Sequence, residues 1–338
     1  GGGGGSGWQN GTLDLDGKFE TAANGTLSAP RGTIKVAGDF EPAGSWIHNN
    51  GTLETNNTGE KDFNVDASTA LYNWIHDGAT LTIENATDGH IVIENALTIN
   101  SSKNLKFQDG ADLTFGTSTQ AATVTNNGNF ENRNANNTVT LRGASSLYPF
   151  AYEGTDINWD QDASSGNVQN YILSNCNWNP DITTGEYVSI QLAGDCEFDA
   201  FTVSANSTLD LNGQRAEFGA LFKNSGTIDC DGALIYCNQV NIDGSTTNTS
   251  NAAIINNTAG FNDFSDGQWK WMGTNLGTGS ATESGSFSNT AAKRVCMSGT
   301  IAPNDNTTVG DMVIATGATY TAGSHTTTVA GDFTTSGG

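Results

Sequence analysis

Basic residues are scarce in this chain. Only 13 Lys and Arg stand against 36 Asp and Glu, a formal net charge of -23. That field repels a phosphate backbone and an anionic bilayer surface, so nucleic acid is excluded as a partner and membrane insertion is not expected. Charge of either sign is thin, at 14% of residues, against about a quarter in ordinary soluble domains. Amphipathic 3.6-residue patterns are nearly absent, which argues against helical architectures. Five prolines are too few for a proline-rich coil. No run approaches the roughly 18 apolar residues of a transmembrane helix. The five cysteines (Cys176, Cys196, Cys230, Cys237 and Cys296) are odd in number and hold no CxxC spacing. Free buried thiols are expected of them before disulfides, with Cys230/Cys237 and Cys176/Cys196 as the pairs that proximity allows. GxSxG, GxxxxGK[ST], HxH and HExxH are all missing, so nucleophile elbows, phosphate loops and helical zinc sites have no support.

What is there is Asn, Thr, Ser and 42 Gly, with hydrophobic residues at 36%. The apolar residues alternate in short runs. GTIKVAGDF sets Ile34 and Val36 against Thr33 and Lys35; TLTIENATDGHIVIENALTIN does the same with Leu81, Ile83, Ile91, Ile93, Leu97 and Ile99. Period two, with turn residues every six to ten positions, predicts many short strands.

Whole phrases recur. TLDLDG at 12–17 returns as TLDLNG at 208–213, VAGDF at 36–40 returns at 329–333, and DGATLTI at 77–83 returns as DGADLTF at 109–115. SWIHNNGTLE at 45 is echoed by NWIHDGATLT at 73, which sets His48 and His76 at matching places in the two phrases. A sandwich gives the same local pattern, but recurrence of phrases at roughly 26 to 32 residues favours a solenoid with coils of that length. The fold expected is all-β: an elongated, right-handed parallel β-helix (solenoid) with longer loops in the middle. Its organisation is a glycine-rich lead-in (1–7), solenoid coils (8–140), loop-decorated coils (141–200) and further coils (201–338) leading toward a flanking domain. Glycine at both ends suggests a module flanked by linkers or a segment of a longer protein. In a solenoid, His48 and His76 stack as turn-adjacent residues, and Trp46 and Trp74 as stacked aromatics. A metal site would need further ligands, and only His90 and His325 remain.

VAGDFEPAGSWIHNNGTLET, and GATYTAGSHTTTVAGDFTTSGG near the other end, resemble the degenerate GDF…G…HNNGT repeats of large β-solenoid surface proteins. Such repeats occur in phage tail fibres and other virion appendages, and in bacterial adhesins of the autotransporter-passenger and filamentous-haemagglutinin type. The resemblance covers about residues 8–130 and 200–338. It implies a right-handed β-helix on a virion or outside a cell, and it transfers no catalytic residue.

Candidate chemistry gathers in the middle. Asp156, Asp160 and Asp162 in TDINWDQD are the acids a polysaccharide-cleaving site would use, with Trp159 and Trp178 beside them for stacking on sugars. Chance spacing of acids in so acidic a chain is the competing reading. Trp269 and Trp271 in FNDFSDGQWKWMG are the other glycan-binding candidates. Asp14 and Asp16, and Asp109 and Asp112, offer oxygen ligands to calcium, although none fits an EF-hand loop and solvated outer-face carboxylates are favoured. No other cofactor is expected. The function expected is a structural rod of a virion appendage (tail fibre or spike) or extracellular adhesin, spacing or displaying a receptor- or glycan-binding element. Its partners are other virion or cell-surface subunits, further copies of itself (a trimer is compatible) and a host-surface glycan. A glycosidase or lyase, or a carbohydrate-binding module, on a β-helix is the second reading.

Overall fold

A computed structural model describes residues 10–335 apart from 66–67, 86–89, 109–110, 133–137, 162, 230–232, 243–244, 248–252, 257–260, 264–272, 276–280, 285–286, 297–298, 304–305 and 315–317; from 236 to 305 only its backbone is described. Among the described residues every regular element is a strand and no helix is present. All the paired strands run parallel, each on its counterpart in the next coil, as in a β-solenoid. The chain forms two compact units, Gly1–Pro180 and Asp181–Gly338.

In the first unit a coil is three short strands joined by corners. Thr12–Leu15, Phe19–Thr21 and Thr26–Ser28 make one coil; Thr33–Val36, Phe40–Pro42 and Ser45–Ile47 make the next. They pair strand for strand, with Leu13 on Ile34, Phe19 on Phe40 and Leu27 on Trp46. The second face continues as a six-stranded sheet through Glu60–Val65, Thr80–Asn85, Asn104–Gln108 and Asn129–Asn132. Alternation along each strand sends every second side chain inward, so parallel register stacks inward residue on inward residue. One inner column reads Leu15, Val36, Thr55, His76, Ile99, Asn126, and in register with Asn126 it ends at the exposed Gly154. Another begins Phe19, Phe40, Phe63, with ring centroids 4.9 and 4.8 Å apart, the spacing of the strands themselves. Each fully buried Phe, Leu or Ile in such a column contributes about 1.5–3 kcal/mol.

The columns correct the expected coil length. In-register partners in the lower coils lie closer in sequence than the recurring phrases do. Lys35 and Glu54 are 19 residues apart, Thr55 and His76 are 21 residues apart, and Asn100 bonds Asp77 across 23 residues. Only above Ile99 does the step lengthen into the expected range, to 28 residues between Thr114 and Arg142 and 32 between Arg142 and Ser174. The added residues include tips at 117–120 and 145–148, each closed by an antiparallel bridge; a third tip, 164–167, lies in the following coil. The recurring phrases are therefore one strand and its corner, not one coil. Trp46 belongs to the third face, whereas Trp74 lies on the first, between Leu53 and Leu97. Thr80–Ile83 of the first DGA phrase lie on the six-stranded sheet and Asp112–Phe115 of the second on the face that follows it. His48 and His76 accordingly do not stack on each other. His76 is paired with Thr55 and Ile99 in the core, and His48 sits at a corner, its ring over Tyr72 and its Nε2 3.3 Å from Glu94 Oε2. The two-histidine metal reading falls with the stack.

Corners explain the composition. Asn49, Asn50, Asn175, Asn206 and Asn212 all hold positive φ, a conformation asparagine tolerates better than most residues. Asn126 and Asn224 each open an N-x-G corner, the side-chain oxygen accepting from the glycine N–H at 3.1 and 3.0 Å. At Gly154, where φ is +94°, an added Cβ would lie 2.1 Å from the carbonyl oxygen of Asn126 in the coil below.

In the second unit, Val188–Leu192, Thr208–Asp210, Thr227–Asp229 and Ser245–Thr247 form successive parallel strands. Ile190, Leu209 and Ile228 stack inward in one column, and the Gln191 side chain beside it reaches Asp210 on the next strand. Phe198, Phe201, Phe218 and Phe222 fill the same interior, with Phe218 and Phe222 parallel at 4.2 Å. The second VAGDF pairs Val329 with Val309 and Phe333 with Met312. Phe40, between two coils, is fully buried; Phe333 is 57% exposed, with no strand described on its other side.

Gly154→Ala should destabilise the first unit by about 2 kcal/mol or more, since it adds both a clash and left-handed strain. Gly166→Ala, at an open tip with nothing within 4 Å, should stay within about 0.5 kcal/mol. Urea unfolding followed by circular dichroism distinguishes the two; equal effects would contradict the stacking.

Candidate functional site

The aromatic middle of the chain is the strongest candidate for chemistry, and its geometry is that of a core. Trp159 and Trp178 are each 1% exposed. Trp178 lies flat on Tyr152, ring centroids 3.8 Å apart and 4° from parallel, and 5.4 Å from Trp159. Trp159 meets Tyr171 edge-on at 4.8 Å, and the Tyr171 hydroxyl donates to the Trp159 carbonyl at 3.1 Å. Neither indole offers a face to a sugar, so the expected glycan-binding role of these two residues is corrected. Alternation explains the outcome: Trp178 stands over Tyr152, which stands over Val124, in an inward column that the aromatic-rich text did not betray as inward.

Asp156 is spent in the same assembly. Its Oδ2 accepts the Trp159 indole N–H at 2.7 Å and its Oδ1 accepts that of Trp178 at 3.0 Å. A carboxylate holding two core indoles is a structural acceptor and not half of an acid–base pair. Asp160 is exposed, and its backbone carbonyl accepts from Ala163 at the start of a tip. Burial pushes the Tyr152 and Tyr171 phenols well above the usual range, with nearby acids adding to it. Asp162, Trp269 and Trp271 lie outside the described residues.

The calcium candidates sit on outer faces. Asp14 is exposed and in register with Lys35, which bonds Glu54 at 2.6 Å; that bond, more than Asp14, raises the Lys35 pKa. Asp16 is exposed at the following corner. Asp112 gives one oxygen to Arg142, so a resident cation already answers its charge. Asp109 lies outside the described residues. Among the described residues, no three His, Cys, Asp or Glu side chains converge as a metal site. Cys176 and Cys196 are buried thiols outside any disulfide, as expected of them.

Outer-face ladders are what the sequence reading missed. Ser68, His90, Thr114 and Arg142 form one, Asp112 joining it through Arg142. The Arg142 Nε–H donates to the Thr114 hydroxyl oxygen, which also lies 2.7 Å from His90 Nε2. His90 Nδ1 lies 3.3 Å from the Ser68 hydroxyl oxygen. Burial lowers the His90 pKa, and Arg142 adds to this against Asp112. A second ladder joins Lys106 and Thr82 to Glu60 at 3.4 Å each. The signal that would have found them is the coil length. Steps of 22, 24 and 28 residues bring Ser68, His90, Thr114 and Arg142 onto one line.

Comparison with protein-family models, curated proteins and solved structures finds no match to this chain.

Asp156→Ala should cost about 2–4 kcal/mol by leaving two buried indole N–H groups without an acceptor, and should change the near-ultraviolet circular dichroism. Asp160→Ala should change stability by less than about 0.5 kcal/mol. If the two variants unfold at the same urea concentration, the core assignment of Asp156 is wrong.

Proposed function

We propose that the chain is a structural shaft of a virion appendage or of an extracellular adhesin, whose stacked coils space or display a receptor- or glycan-binding element. The observation that carries the reading is the use made of the chemically capable residues. Asp156, Trp159 and Trp178, which would serve catalysis or sugar binding if exposed, are consumed in holding coil on coil. The outer faces carry in-register ion pairs and hydroxyl ladders, which suit a solvated surface. Parallel stacking of this kind makes a stiff, protease-resistant element whose contacts run between neighbouring coils. In this reading its partners are other surface subunits and further copies of the chain, a trimer among the arrangements that fit.

The test is immunogold electron microscopy of the source particles or cells with antibodies to the 338-residue chain. Gold should follow filaments or fibres projecting from the surface; label confined to the cell interior would remove the proposal. In parallel, the purified chain should leave a broad panel of acidic and neutral polysaccharides uncut, and shortened products would revive the enzyme reading.

A further inference from the structure

One inward position of the first unit holds a titratable ring. His76 is fully buried in the column between Thr55 and Ile99. Its Nε2 lies 3.0 Å from the backbone carbonyl oxygen of Asn104, and its Nδ1 lies 3.0 Å from Thr55 Oγ1. A carbonyl can only accept, so Nε2 carries the hydrogen and Nδ1 is the acceptor. Thr55 therefore donates its hydroxyl hydrogen to His76 while receiving the Trp74 indole N–H at 3.2 Å. The relay runs in one direction, from Trp74 to Thr55 to His76 to Asn104, and every donor in it is satisfied only while the ring is neutral.

A second ring proton breaks this order. It would meet Thr55 Oγ1, which already receives Trp74, and the Thr55 hydrogen would lose its acceptor. The column neighbours beyond, Val36 and Ile99, are apolar. Two charged groups act on the ring, with opposite signs: Asp77 on its own corner and Lys103 on the corner after Ile91–Ile99. Asp77 already accepts from the Asn100 side chain at 2.9 Å. On the adjoining strand Thr52–Thr55, Glu54 faces outward to Lys35. Among the described residues no carboxylate bonds the ring.

The geometry points to an acid-labile joint in the first unit: the level built from Thr55, Trp74 and His76 opens when His76 takes up a proton, while more distant coils keep their pairing. Burial pushes the ring pKa down from 6.5 to about 4, with the Asn104 carbonyl and Asp77 opposing and Lys103 adding. The unfolded chain thus binds the proton near 6.5 and the folded level only near 4. Stability is complete above the first value and is lost progressively as pH falls toward the second. Strand pairing runs between neighbouring coils, with only side-chain ion pairs such as His48–Glu94 and Lys106–Glu60 reaching over a level, so opening at one level need not unfold the rest.

Hydrogen exchange of the whole chain, read by mass spectrometry at about pH 7 and about pH 4 and corrected for intrinsic rates, tests this. Protection in peptides covering 52–57, 73–80 and 98–105 should fall roughly tenfold or more beyond that in 170–178. His76→Gln, which cannot take the proton, should remove the difference. In the wild-type protein, nitrogen NMR of labelled histidine should show His76 protonated at Nε2 alone near neutral pH and titrating only below about pH 5. This last measurement decides the matter if the variant does not fold. A His76 ring that titrates near its ordinary value, an equal loss of protection in all four segments, or an unchanged acid response in a folded His76→Gln overturns the inference.

Discussion

Register between one coil and the next is the constraint on which everything else in each unit rests. A parallel strand places each inward side chain over its counterpart, one strand spacing away. Stacked rings of Phe19, Phe40 and Phe63 show the benefit, since flat aromatics separated by about one strand spacing remain in contact. Gly154 shows the cost, because backbones that must approach this closely leave no room for a side chain. Polar residues enter the columns only with partners. Thr55 bonds Trp74 and His76; Asn126 bonds Gly128, Tyr152 and Thr155.

The same register organises the surface. A chain with so large an acidic excess must keep like charges from crowding, and the coils do it by placing bases where they serve two acids or bridge two levels. Lys18 reaches Glu20 at 3.2 Å and, one coil on, Glu41 at 2.5 Å. Such exposed pairs contribute little individually; their arrangement mainly relieves repulsion along each column. Where relief is incomplete the effect is visible: burial first, then Asp39 and Glu60, raises the Asp62 pKa.

Much of this was legible in the text of the chain, and the errors are instructive. Alternation predicted strands, and phrase recurrence predicted parallel stacking, because both follow from local spacing. The coil length was misjudged because each phrase describes a strand and a corner, and three such pieces make a coil. Trp46-Ile47-His48 and Trp74-Ile75-His76 are alike because strands on different faces meet the same local demands. Burial of Trp159 and Trp178 was not legible, since aromatic residues near acids look the same whether they face a sugar or each other. Only the column running from Val124 through Tyr152 to Trp178 shows which side they take. The outer ladders were hidden for the same reason, as their members are neighbours only when the correct coil length is known.

The tips at 117–120 and 145–148 carry a consequence for how such a protein changes over time. They leave from the corner that Tyr72 alone occupies lower down, between the segments pairing with Ile91–Ile93 and with Ala96–Ile99. Strands on either side remain aligned whether that bend holds one residue or several. Insertions there lengthen the bend without shifting the column, so new peptide can be tried at this edge while the scaffold goes on folding as before. With Leu147 82% exposed at one such tip, this margin is where novelty is cheapest to acquire.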